Sequence, residues 1–294
     1  VGMAQTKVRI PNSAADPAEK NLVRSLAKGF AVLHAFTAER DELTLAEVAR
    51  AAGIDNATAF RFLNTLVMLG YVARVPGTRR FRLTLRCLDL GFNAIARADL
   101  RMLARPILRD LVGALNEAAS IGVLDGADVV YVERIQAGIA RLGVDVRIGS
   151  RVPVYSSAIG RAILAFLPRE TQLAVLEARP REKLTEATVT DRAALLAILE
   201  RVRADGIALS DQETVPGLRV LACPLLDADG VPLGGISVAA PALRMSAEDY
   251  LRQAGPPLIA AARALSRGLE AAGGTAAPAR PPLAEPTPTR RHRP

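Results

Sequence analysis

The chain has no tryptophan, only two cysteines and only two histidines among its 294 residues. Cys87 and Cys223 lie far apart in the sequence, which excludes a disulfide framework and a cysteine-based metal site. No run of 18 apolar residues occurs, so no membrane-spanning helix is expected. Residues 1–20 lack the apolar segment of a secretory signal, and a cytoplasmic protein is expected. The histidines are His34 and His292, so residues 105–270 contain none. That excludes a Ser-His-Asp or Cys-His device there and removes the usual zinc ligands. Lys183 is the only lysine of that stretch, and no glycine loop ending in Gly-Lys-Ser/Thr is present to cradle phosphate. Carboxylate chemistry alone stays open. The chain is therefore expected not to be an enzyme, with no catalytic residue, cofactor or metal.

Half the residues are apolar and 23% are charged, the balance of a soluble globular protein of about two domains at roughly 100–200 residues each. The net charge of +8 is unevenly spread: residues 21–85 carry +4, residues 105–270 carry −1 and residues 271–294 carry +3. Five segments are expected. Residues 1–20 form a disordered tail, 21–85 a small basic domain, 86–104 a linking helix, 105–270 a neutral domain, and 271–294 a disordered basic tail rich in Pro, Ala and Gly. The tail cluster Arg290-Arg291-His292-Arg293 is either simply solvated or a non-specific DNA contact.

Within the basic domain, Ser25 and the spacing of Leu26, Phe30 and Leu33 predict a helix over 25–37. Thr44-Leu45-Ala46-Glu47 is a capping box that opens a second helix, closed by Gly53. Asp55 caps a third helix over 56–69. Two strand-like runs, 71–75 and 80–85, meet at Pro76-Gly77-Thr78 as a hairpin carrying Arg74, Arg79, Arg80 and Arg82. Helix, turn, helix and basic hairpin make a winged helix-turn-helix. The outward face of the third helix shows Asn56, Ala57, Thr58, Phe60, Arg61, Asn64 and Thr65, of which Asn56, Thr58, Arg61 and Asn64 are the types that read base edges, with Phe60 placed for a thymine methyl. Thr44 and the arginines Arg79, Arg80 and Arg82 complete the expected contacts to double-stranded DNA. An interaction module with a solvated hairpin would share this layout, but element order, caps and charge together favour DNA. Leu88, Phe92 and Ile95 make 86–104 amphipathic. Such a helix either pairs two copies over a palindromic operator or packs on its own chain.

The neutral domain reads as helix 106–118, strands 120–124 and 129–135 around Asp125-Gly126, and a third strand over 140–146. A helix capped by Ser156 or Ser157 runs through Leu167, helices follow near 169–178 and 191–204, then strands 207–211, 219–226 and 233–239 and a last helix, capped by Ser246, to about 268. Mixed strands and helices give an α+β class, and sensing a small ligand suits a neutral domain joined to a basic DNA reader.

Several strings in order resemble the IclR family of bacterial transcriptional regulators over about residues 22–268. They are Arg24-Ser25-Leu26-Ala27-Lys28-Gly29, the helix-turn-helix of 45–72, Val130-Tyr131-Val132-Glu133-Arg134, Gly149-Ser150-Arg151-Val152-Pro153, Ser157-Ala158-Ile159-Gly160-Arg161-Ala162 and the Asp211-Gln212-Glu213 region. The opening string, that triplet and Arg134 are most similar to regulators of protocatechuate and 4-hydroxybenzoate catabolism. The resemblance implies a winged helix-turn-helix, a linker helix, a GAF-like effector domain, dimers or dimers of dimers, and repression or activation modulated by a small organic acid. It places Asp211, Cys223 and Ser237 in the effector pocket, with Ser157 on a helix cap. Arg134 or Arg161 would hold the effector carboxylate, since a guanidinium offers a planar two-donor fork. Otherwise Arg134 pairs with an acid and Arg161 bonds loop carbonyls. Asn56 and Phe60 replace residues that are often basic or polar in the family, and Val220, Leu226 and Ala239 make the effector signature less polar. Competing expectations are an architectural DNA binder whose second domain only oligomerises, and a ligand-binding or enzymatic domain with a basic adaptor.

Overall fold

The computed structural model describes residues 22–37, 39–95, 98–136 and 146–272. These fall into two compact units, one ending by residue 95 and the other beginning at residue 98. The expected tails and residues 140–145 of the expected third strand lie outside the described residues. No helix among the described residues is long and apolar enough to cross a membrane.

The first unit runs α1 (Arg24–His34), β1 (Glu42–Thr44), α2 (Leu45–Ala52), α3 (Asn56–Met68), β2 (Val72–Arg74), β3 (Arg80–Leu83) and α4 (Cys87–Ile95). Both expected caps form. Glu47 N donates to the Thr44 hydroxyl while Thr44 N donates to Glu47, and Asp55 accepts the Thr58 amide at 2.8 Å. Gly53 takes φ +67°, the left-handed conformation that lets the chain turn sharply from α2 into α3. The first helix differs from expectation. Val23, not Ser25, is its N-cap, and the helix stops at His34. Leu26 and Phe30 are exposed, and the core side is instead Ala31, Val32, Ala35 and Phe36. Strand β1 was not expected, because three residues are too few to show alternation. It joins β3 and β2 in an antiparallel sheet of order β1-β3-β2.

The second unit opens with α5 (Ala98–Leu115), which runs straight through Pro106. The sequence places that proline at a helix start, where its missing N–H costs nothing; here it sits mid-helix. The helix ends earlier than expected, with Asn116 at φ +53°, so Ala118 opens a strand. The strands are β4 (Ala118–Asp125), β5 (Asp128–Ile135), β6 (Arg151–Pro153), β7 (Ala208–Asp211), β8 (Leu218–Leu226) and β9 (Pro232–Pro241). The helices are α6 (Ala158–Leu164), α7 (Arg169–Glu177), α8 (Arg192–Asp205) and α9 (Ala247–Ala271). Among the described residues the third strand is 151–153, and Val146 lies outside any strand.

All strand pairs are antiparallel, in the order β6-β5-β4-β9-β8-β7. Helices α5 and α9 cover one face. Helix α6 covers the other, with α8 behind it. Its approach needs glycine: a Cβ on Gly122 would come 2.4 Å from Val129 and 2.9 Å from Ile159 of α6, and one on Gly235 would come 2.9 Å from Ile159. The core on that side joins Ile159, Ile163 and Leu164 to Val129, Tyr131, Ala208 and Ala222. Mixed helix and strand content agrees with the expected class.

Candidate functional site

In the first unit, α3 presents Asn56, Ala57, Phe60 and Arg61 to solvent, with Phe60 48% exposed. An apolar ring left outside a small core is suited to a methyl or base contact. Thr58 is committed to the helix start: its hydroxyl donates to Asp55 at 2.7 Å, and these bonds hold the Asp55 carboxyl below its usual range. Thr44 is likewise a cap first, donating its hydroxyl to Glu47, whose pKa is lowered chiefly by the Thr44 amide. Asn64 is half-buried, and its Oδ1 accepts from Arg74 Nη2 at 2.7 Å.

On the wing, Arg79 and Arg82 are exposed and enter no ion pair among the described residues. Arg80 is different. It donates to the Glu42 carbonyl at 2.8 Å and lies 3.7 Å from Glu47. Its charge is partly used in tying β3 to the start of α2.

In the second unit, strand register decides which expected effector residues share a surface. Arg134, Ser120, Ser237 and Ala222 stand opposite one another on β5, β4, β9 and β8. Directly paired residues lie on the same face of a sheet, and Ala222 belongs to the core under α6. Arg134 Nη1 donates to Ser120 Oγ at 2.8 Å. Ser120 and Ser237 are both buried. The next row on this face is Ala118, Ala239, Val220 and Ser210. Burial pushes the Tyr131 phenol up to about 12, with the nearby Arg134 charge pulling the other way.

Asp211 and Cys223 do not join this row. Asp211 pairs with Arg219 and Cys223 with Ile236, each one position out of phase with Ser210 and Ala222. Alternation sends them to the face opposite Ser237. Asp211 accepts both Arg219 Nε and Nη2, at 2.9 and 3.0 Å. Cys223 is buried, and burial raises its thiol to about 12, against a smaller pull from Arg263 of α9.

Ser157 and Arg161 sit on α6. Ser157 caps it, accepting from Gly160 N and donating to the Pro153 carbonyl. Arg161 is 2% exposed and makes two 2.5 Å bonds to Glu213, with a further bond to the Tyr155 carbonyl. Its fork is filled from within the protein. Neither of the two expected roles named this partner, since Glu213 is 52 positions away.

The residues on this face that sequence reasoning did not single out are Ser120, Tyr131 and Ser210, and Ser156, one of two possible caps of α6, is not the one used. Ser156 is fully buried, and its hydroxyl has no hydrogen-bond partner among the described residues. Its carbonyl accepts from Ser210 and Thr214. A serine inside the apolar run of 118–124 was the available signal for Ser120.

Two family models match the chain: the IclR helix-turn-helix domain over residues 25–76, and the bacterial transcriptional regulator IclR C-terminal domain over residues 92–267. The HTH-type transcriptional regulator KdgR of Escherichia coli K12 is 36% identical over 83% of this chain and 92% of its own length. The Pca regulon regulatory protein of Pseudomonas putida is 32% identical over 91% of this chain and 90% of its own. A solved IclR homologue from Microbacterium hydrocarbonoxydans, complexed with 4-hydroxybenzoate, superimposes with a TM-score of 0.75 at 26% identity, covering 84% of this chain and 99% of that one. The chain belongs to the IclR family, whose members are DNA-binding transcriptional regulators and not enzymes.

Proposed function

We propose that this IclR-family regulator controls a catabolic operon and responds to a small aromatic carboxylate bound on the α6 face of its second sheet. The observation that carries the ligand half is the row of Arg134, Ser120 and Ser237. A guanidinium beside two buried hydroxyls offers a carboxylate both charge and hydrogen-bond donors. Tyr131, Val220 and Ala239 supply apolar and aromatic surface near it, which suits a ring. The Microbacterium homologue with 4-hydroxybenzoate and the Pca regulon regulator among the relatives support an aromatic acid. Ser157 and Arg161 serve as the wall opposite. Asp211 and Cys223 act as scaffold.

Residues 21–85 read the operator and 105–270 hold the effector. The 86–104 segment spaces two copies over a palindrome whose half-sites lie about 34 Å apart, one helical turn of DNA. Exposed Leu88 on α4 supports pairing between copies. The protein works in the cytoplasm. An effector acts only through unequal affinity for two conformations.

Calorimetric titration with 4-hydroxybenzoate tests this, alongside phenol as the same ring without a carboxylate. Binding of the acid, its loss by at least about tenfold in Arg134→Ala and no binding of phenol are expected, since charge-assisted bonds are worth about 1.5–3 kcal/mol. Unchanged affinity in Arg134→Ala would remove the carboxylate anchor. Fluorescence anisotropy with upstream DNA, with and without the acid, tests the regulatory half.

A further inference from the structure

Arg74 of the wing and Asn64 of α3 meet at 2.7 Å, Nη2 to Oδ1. A carboxamide is chemically two-ended, with an acceptor oxygen on one side and a donor NH2 on the other. A guanidinium only donates. The end of Asn64 that faces Arg74 is therefore its oxygen, and its NH2 is turned away from the wing. Arg74 is itself held in place. It stands opposite Phe81 in the β2–β3 ladder, and its guanidinium carbon lies 5.1 Å from the centroid of that ring. Phe81 is buried in the core of the unit. The wing thus grips the reading helix by one named bond, and the grip is anchored to the core.

Asn64 follows exposed Phe60 by four residues and exposed Arg61 by three, which puts it on their side of the helix. An unconstrained asparagine reads adenine with both ends, donating to N7 and accepting from the N6 amino group. Here one of the oxygen's two lone pairs is taken by Arg74, and that bond aims the oxygen at the wing rather than along a base edge. We propose that Arg74 is a positioning residue that fixes Asn64 as a donor, so that α3 favours at that step a base whose major-groove edge offers acceptors with no amino group beside them, guanine through O6 and N7 or thymine through O4, over adenine, whose N7 stands next to the donating N6. This inference rests on the DNA-reading role of α3 and adds to it which base chemistry one residue takes and what enforces the choice.

The test is selection of bound duplexes from a randomised library by the full-length protein, followed by competition binding at each position of the selected site. Wild type is expected to show guanine or thymine at one position that depends on Asn64. Asn64→Asp keeps an oxygen toward Arg74 and exchanges the donor for an acceptor. It is expected to shift that position toward cytosine, whose N4 donates, by about tenfold or more in relative affinity. Arg74→Leu frees the amide and is expected to raise adenine there, while Arg74→Lys, which still donates to Oδ1, retains the wild-type base. Arg82→Ala, a wing charge without a bond to α3, should weaken all sequences alike. A melting temperature for each variant shows that the unit is folded.

If wild type selects no sequence, the DNA-reading role itself falls. If wild type selects a site but Asn64→Asp and Arg74→Leu leave every base preference unchanged, the positioning inference alone falls. Uniform weakening by Asn64→Asp, with a shallower salt dependence, would assign the amide to a phosphate oxygen and also overturn it.

Discussion

Glu133 and Arg134 are consecutive on β5, yet they serve opposite faces of one sheet. Arg134 reaches Ser120 on the α6 side. Glu133, 2% exposed, takes Arg101 of α5 at 3.2 Å and lies 3.8 Å from Arg105 of the same helix. The α5 helix is also the first of its unit, the one the chain enters after the DNA-reading segment.

In the proposed reading, an effector that shifts the β5 backbone at Arg134 also shifts the residue that holds α5. Replacing Glu133 by Gln keeps the size and removes the charge that both arginines seek. Effector affinity in Glu133→Gln should stay within about threefold of wild type. The change in operator affinity on adding effector, typically about 5–150-fold in such systems, should shrink to less than about threefold. Anisotropy titrations with and without effector measure both quantities. Full retention of the effector response would show that α5 is not the route.

The Arg161–Glu213 pair joins α6 to the turn after β7, and Glu213 also accepts from Val189 N at 3.1 Å. Removing one member leaves the other charge buried. Arg161→Ala and Glu213→Ala should each destabilise the protein by about 3–5 kcal/mol. The combined change to Met and Leu should cost much less than the sum. Urea denaturation of the four proteins gives the comparison, and strict additivity would mean that the two side chains act independently.

The exposed arginines of the first unit divide by role. Arg61→Ala should weaken operator binding by about 1–3 kcal/mol and relax preference at one base pair. Arg79→Ala should weaken all sequences alike and reduce the salt slope by about one. Arg80, bonded to the Glu42 carbonyl and close to Glu47, should affect the slope less than Arg79 does. Binding measured at several salt concentrations separates the three, and equal slopes for Arg79→Ala and wild type would remove Arg79 from the phosphate contacts.

Cys223 should be inert to thiol reagents at pH 8, because burial raises its thiol to about 12, while half-buried Cys87 reacts first. The sign of the stability effect follows. An unfolded cysteine ionises near pH 9 and the folded one near 12, so the stabilisation is complete below about pH 9 and falls as pH climbs toward 12. Stopped-flow labelling in native buffer and in urea checks the reactivity. Rapid labelling of both thiols in the native state would contradict it. Cys223→Ala should flatten the alkaline loss of stability.

Local signals were readable from sequence, and relations between distant strands were not. The caps at Thr44 and Asp55 are written within four residues each, so α2 and α3 could be placed closely. Pro106 misled because a proline in a helix start and a proline in a helix interior look the same in one sequence. Asp211 and Cys223 were expected beside Ser237, but a strand shows a different face at every step, and one residue of phase moves a side chain through the sheet. Register comes from β8–β9 pairing, which no local pattern reveals. The bond between Arg74 and Asn64 depends on the wing folding back to α3, and Arg161 finds Glu213 52 positions along the chain.

The alternation along β8 and β9 separates two inheritances. If the effector binds as proposed, residues such as Val220, Ser237 and Ala239 face it, while Leu221, Cys223 and Val238, interleaved with them, lie on the face that α9 covers. On that proposal, a different effector could be accommodated by a handful of exchanges on one side, leaving the architecture unaltered on the other.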